Sequence, residues 1–268
     1  MARRDRSQSG ESSPWARPGF IGAALVVVVA VACGVYALTA RGGHRNAGVP
    51  GRTTAPSTAI TPTTEGTQQV VKAKAATKGR GGCDLPPGPQ TVPTTAPSEI
   101  TWTLWRTAAL PSSPTAGPMV VQGDLARCYA HSPLGALIAA VQIYARWQLV
   151  MSNQEWRSIA YGQMVPSAGR QIVIADMKAE AKADPAGLAA PTPPGDFAQI
   201  AAFQFLSYTP DSTVIDIVVT KAGQYVVGPI TLAWSDGDWK IAVLPAGTIT
   251  GPAQVISSTA GYIAWSGV

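Results

Sequence analysis

The sequence predicts an α+β protein: one N-terminal transmembrane helix, a disordered stalk, and a domain of about three helices packed on a curved antiparallel four-strand meander. Three observations predict it. Residues 20–40, from Phe20 to Ala40, contain no charged side chain. A second apolar run, residues 134–151, is bracketed by helix-start signals and cut by Arg146. Residues 199–243 alternate apolar and polar side chains in four stretches separated by three short turns.

Residues 1–19 are rich in Arg, Ser, Gly and Pro, too polar to bury a core, and read as a disordered cytoplasmic tail. The run from Phe20 to Ala40 has the roughly 20 residues that a helix needs to cross a hydrocarbon layer of about 30 Å. Two other readings compete. A cleaved signal peptide needs a small-x-small site, which Ala37-Leu38-Thr39 matches poorly. A lipoprotein signal ending at Cys33 would turn polar at once, whereas this run stays apolar from Val35 to Leu38. The anchor reading is preferred, with Cys33 left open as a lipidation site. Arg3, Arg4, Arg6 and Arg17 precede the run and Arg41, Arg45 and Arg52 follow it. That slight bias, with a large domain after a single anchor, puts the tail in the cytoplasm and the domain outside the cell membrane. Residues 41–82, full of Thr, Pro, Ala and Gly without apolar periodicity, read as a stalk.

Charge divides along the same line. Up to Arg80 there are 11 basic and 3 acidic residues; from Gly81 onward there are 9 and 12. The net charge of +5 therefore belongs to the tail and stalk. A nucleic-acid-binding domain would gather basic side chains on its folded surface, so no direct nucleic-acid partner is expected. Lys72, Lys74, Lys78 and Arg80 lack interleaved aromatics and suit a solvated linker near anionic headgroups.

The domain, residues 83–268, opens with the irregular stretch Leu85-Pro86-Pro87-Gly88-Pro89. Residues 99–106 alternate, placing Ile100, Trp102 and Leu104 on one face of a strand, and residues 111–118 read as a loop. Ser132 suits a helix N-cap and Pro133 its first turn. The helix they start is apolar apart from Gln142, Arg146 and Gln148, and is expected at the centre of the domain. Ser152-Asn153-Gln154-Glu155 is a capping box, with the serine accepting from the N3 amide and the glutamate reaching back. A third helix covers roughly residues 167–183. The meander follows, with turns at Pro210-Asp211, Ala222-Gly223 and Asp236-Gly237, the last a strong hairpin signal. Gly228-Pro229 suggests a kink or bulge within its third strand, and residues 251–268 add a short helix or strand packed by Tyr262 and Trp265.

No stretch spells out a reaction. Cys83 and Cys128 lie on the far side of the anchor, where two cysteines persist either as a disulfide, the preferred reading, or as free thiols. Cys128-x-x-His131 offers a nucleophile with a base, or half a metal site. No second Cys/His pair completes the metal set, and neighbours at a helix start rarely meet as thiolate and imidazole. Asp211, Asp216, Asp236 and Asp238 read as turn and strand-surface residues. No catalytic, metal or cofactor-binding residue is therefore nominated, and no cofactor is expected. If a pocket or interface exists, Trp147 and Trp156 are its candidates.

Helices followed by a meander outside the membrane resemble the cone of nuclear transport factor 2-like domains found in single-span assembly factors of type IV secretion. Closer in detail, Gly82-Cys83-x-Leu85, Thr101-Trp102 and Pro111 with Gly117-Pro118 resemble a family of actinobacterial conjugative-element membrane proteins. The segments from Cys128 to Ala136 (CYAHSPLGA) and from Trp234 to Lys240 (WSDGDWK) carry that resemblance furthest, and it continues from Gly261 to Gly267. It implies a non-enzymatic, single-pass scaffold that contacts other secretion or conjugation subunits and other copies of itself. A cell-surface ligand-binding module, or an enzyme using the pocket, is the alternative.

Overall fold

In a computed structural model, residues 83, 85–191, 193 and 197–268 are described. The expected anchor, tail and stalk lie outside these residues. Two hairpins come first. β1 (Thr101–Trp105) pairs with β2 (Ala108–Ser112), and β3 (Val120–Gln122) with β4 (Leu125–Arg127). Three helices follow: α1 (Pro133–Gln148), α2 (Asn153–Gly162) and α3 (Ala168–Ala183), with the single turn α4 (Pro185–Leu188) behind them.

Each of the three long helices starts on a serine in extended conformation. The side chains of Ser132, Ser152 and Ser167 accept from the amides of Gly135, Glu155 and Arg170, satisfying N–H groups that no earlier carbonyl reaches. Only half of the expected capping box forms. Glu155 does not close back on Ser152; its carboxylate accepts from the Met151 amide and pairs with Arg106 instead.

Six strands then build one antiparallel sheet: β5 (Gln199–Tyr208), β6 (Ser212–Lys221), β7 (Gln224–Ser235), β8 (Asp238–Ile241), β9 (Gln254–Ile256) and β10 (Ile263–Ala264). The order is β10-β5-β6-β7-β8, with β9 also on β7. Ala222-Gly223 and Asp236-Gly237 both take positive φ at both positions, the twist that two-residue hairpins require. β8 and β9 share one edge of β7: β8 holds Leu232–Ser235 and β9 holds Tyr225–Val227. Pro229 sits in the gap, where its carbonyl accepts from the Gly251 amide, so its missing N–H costs no bond to β6.

This corrects the expected architecture. The described residues do not build three helices on a four-strand cone; they build a six-strand sheet and two separate hairpins beside the helices. The extra strands have a physical origin. The outer edges of β5 and β7 present unpaired backbone groups, and the C-terminal segment pairs with them through strands of two and three residues, too short to show alternation. No helix among the described residues is long and apolar enough to cross a membrane. Two local expectations also change. Leu104 is not on the packed face of β1 but 71 % exposed. Residues 111 and 112 belong to β2 rather than to a loop. Arg146, the residue that interrupts the apolar helix, is itself only 3 % exposed.

The core lies between α1 and one face of the sheet. Leu137, Ile138, Val141 and Ile143 pack with Phe203, Ile215, Ile230, Leu232 and Trp239, all fully or nearly fully buried. A full burial of each is worth about 1.5–3 kcal/mol, which makes this layer the main source of stability. A smaller cluster of Ala202, Val218 and Val227 is covered by Tyr225, Ile256 and Tyr262.

Candidate functional site

The two segments that carry the family resemblance furthest meet in space. Asp238, at the start of β8, is half-buried and accepts from the backbone amides of Cys128 at 2.8 Å and Tyr129 at 3.0 Å, as well as from the Trp239 amide. Trp239 Nε1 donates to the Ala130 carbonyl at 3.1 Å. The His131 ring stacks on Trp234 with centroids 4.0 Å apart and planes 9° from parallel, and its Nε2 donates to the Pro210 carbonyl. Each of four successive residues, Cys128 to His131, is thus held from the β7–β8 hairpin or the turn beside it.

The need for this clamp follows from the backbone. Cys128 has φ 68°, a left-handed conformation unfavourable for a residue with a side chain, and an oriented acceptor for its amide offsets part of that strain. The turn is held from other sides too. Ala130 donates to the Ala116 carbonyl, and Met119 to the Cys128 carbonyl. Cys128 Sγ is bonded to Cys83 Sγ, with Cα atoms 5.0 Å apart. Over the turn runs the segment after Cys83. Gln90 Nε2 donates to the His131 carbonyl at 2.7 Å, and Gln90 Oε1 accepts from Tyr208 Oη at 2.7 Å. Gly135, in the first turn of α1, lets the helix start directly on the turn: a Cβ there would lie 2.0 Å from the Ala130 carbonyl oxygen.

These contacts decide what the turn can do chemically. The Cys128 sulfur is spent in a disulfide, so it is neither a nucleophile nor a metal ligand, and His131 donates to backbone. Among the described residues no three His, Cys, Asp or Glu side chains lie together to hold a metal. Burial pushes the Asp238 carboxyl above the usual carboxylate range, against the amides of Tyr129, Cys128 and Trp239 and the Lys240 ammonium, which lower it.

A second polar cluster joins the tips of both hairpins to the α1–α2 junction. Arg106 donates to the Leu149 carbonyl and to Asp124 and Glu155. The Arg106 and Arg146 guanidinium carbons lie 4.4 and 4.5 Å from the Trp105 ring centroid. Arg146 also donates to Gln142 Oε1 and to the Gly123 carbonyl. Burial lowers the Arg146 pKa, and burial followed by the Glu155 charge raises that of Asp124. This cluster is a buckle that fixes two hairpins to the helices.

The two candidate pocket or interface residues, Trp147 and Trp156, differ in burial. Trp156 is fully buried, donates to Asn153 Oδ1 and lies under the Arg157 guanidinium; Trp147 is half-buried against the core. A shallow apolar cleft of about 50 Å³ opens elsewhere, between Tyr144 of α1 and Ile217, Ile230 and Thr250, with room for a few waters rather than an organic ligand.

The sequence reading missed Asp238, Gln90 and Arg106. Asp238 lies 109 and 110 residues from its two partners in the turn, and no local spacing encodes such a contact. The available signal was indirect: WSDGDWK and CYAHSP were the two most distinctive segments, and they interlock.

Fold and site together define a disulfide-pinned α+β domain whose distinctive segments hold one turn. The chain belongs to a domain family of unknown function, DUF8175, whose model matches residues 61–264. No curated protein and no solved structure matches the chain.

Proposed function

We propose that the protein is a non-enzymatic assembly component of a conjugative-transfer or type IV secretion-like machine. In this reading residues 20–40 anchor it in the cell membrane with the N-terminus inside, and the domain acts outside through contacts with other subunits. The observation that carries the reading is the use to which the reactive side chains are put. Cys128, His131 and Asp238 are each committed to a disulfide or to backbone groups. Large apolar side chains meanwhile stand exposed on the strands, with Leu104 71 %, Val121 57 % and Leu206 53 % accessible. The resemblance in CYAHSP and WSDGDWK supports the same role. A transfer assay tests it. Leu104→Asp and Val121→Asp, at side chains that stand mostly in solvent, are expected to lower transfer at least tenfold while the protein remains at wild-type level in the membrane. Unchanged transfer in both would argue against a role played through these side chains.

A further inference from the structure

Cys83 and residues 85–90 belong to no strand or helix, yet Cys83 and Gln90 make specific contacts. Residues 85–90 (Leu-Pro-Pro-Gly-Pro-Gln) form no ladder hydrogen bonds. Their seat is built from the disulfide to Cys128, Leu85 packed on the core, Gly88 against Ser132, and Gln90 between the His131 carbonyl and Tyr208 Oη. Pro86, Pro87 and Pro89 fix φ, so little chain entropy is lost when the segment seats. Behind it, residues 91–98 (TVPTTAPS) are mostly exposed and belong to no strand or helix. Eight extended residues reach up to about 26 Å.

We propose that this strap seats in trans as well as in cis, so that copies of the chain are joined by exchanging Cys83 and residues 85–90 and by a Cys83–Cys128 bond between chains. The occupant of the seat is then the same peptide from a second copy. Every contact is reproduced, because the two straps are identical, and only the connection through residues 91–98 changes. Exchange of this kind needs little new interface. It competes with an intramolecular strap whose effective concentration is in the millimolar range, so it is favoured where copies are crowded. Confinement of anchored copies in one membrane supplies that crowding, and in this respect the inference rests on the proposed membrane location. Each trans bond joins one Cys83 Sγ to one Cys128 Sγ with loss of two protons and two electrons to a disulfide-donating oxidant, as for the cis bond. The number of disulfides per chain is unchanged.

The test uses the full-length protein in its own membrane with Cys33→Ala, so that the third cysteine cannot pair. Two copies with native Cys83 and Cys128 but tags of different size are co-expressed, and membranes are run without reductant after thiols are blocked. A covalent species carrying both tags, lost on reduction, is expected. A second pair, Cys83→Ser with one tag and Cys128→Ser with the other, leaves only one route to a Cys83–Cys128 bond, which is between chains. It is expected to give the mixed-tag species when co-expressed and not when either variant is expressed alone, which identifies the bond. Absence of a mixed-tag covalent species from the native-cysteine pair overturns the proposal, whatever the variants do. These gels read the strap alone, so they can fail while the assembly role stands, and the transfer assay can fail while strap exchange stands.

Discussion

The Asp238 carboxylate receives the amide of Cys128 at 2.8 Å, across 110 residues of chain and at a half-cystine with a left-handed backbone. That bond places the charge of a hairpin residue beneath the turn that starts the central helix. It ties the last strand of the meander to the point where the disulfide is fixed.

Removing the carboxylate tests its weight. Asp238→Ala strands the amides of Cys128 and Tyr129 in a half-buried site, and a loss of about 3 kcal/mol is expected. Asp238→Asn keeps one acceptor oxygen and should lose less. Urea unfolding of the oxidised protein measures both. Equal, near-zero losses would show that the bonds only accompany a turn held by other means.

The pH dependence has a definite sign. Burial raises the Asp238 carboxyl in the folded protein above its unfolded value of about 3.9. The folded state therefore binds the proton more tightly. This contribution to stability is fully present below the unfolded value and is lost as pH rises through the folded one. Asp124 and Asp216, both raised by burial first, act in the same direction. Unfolding free energy measured from pH 4 upward should carry this downward component, and Asp238→Asn should make the slope shallower than wild type.

Arg146 is buried without an ion pair among the described residues, resting on Trp105 and on two hydrogen bonds. Its long stem fills space in the core, so Arg146→Ala should cost about 3 kcal/mol through the cavity and the stranded partners. Arg146→Met keeps the length and removes the desolvated charge, and a loss below about 1.5 kcal/mol is expected. Thermal unfolding of the two variants side by side reads the difference.

Gly135 offers a sharper case, because helix propensity points the wrong way. Alanine is the better helix former by about 1 kcal/mol. A Cβ at this position would nevertheless lie 2.0 Å from the Ala130 carbonyl oxygen and 2.9 Å from its carbon, both backbone atoms. Gly135→Ala should therefore destabilise by more than 2 kcal/mol, and a neutral result in denaturant titration would mean that α1 does not start against the turn.

Much of the fold could be read from local signals, because local physics decides those places. Ser132 with Pro133 starts a helix wherever an apolar run follows, and Ala222-Gly223 and Asp236-Gly237 supply the positive φ of tight hairpins. Local signals fail where partners are distant or elements short. The alternation of residues 99–106 promised an inward Leu104, yet β1 belongs to a two-strand hairpin and leaves that side chain in solvent. β9 and β10 hold three and two residues, below any period, and their strands are defined by the edges that they complete. At the site, Cys83, Cys128 and His131 stood out by residue type. Asp238 looked like one more turn aspartate, and nothing singled out Gln90, because each acts only through a partner far along the chain.

The most direct measurement of the proposed role is copurification of the full-length protein, crosslinked in cells that are actively transferring DNA and extracted with its membrane. The expected result is recovery of further subunits of the transfer channel, with recovery reduced by Leu104→Asp and Val121→Asp. Recovery of the protein with no channel component from such cells would contradict the assembly role.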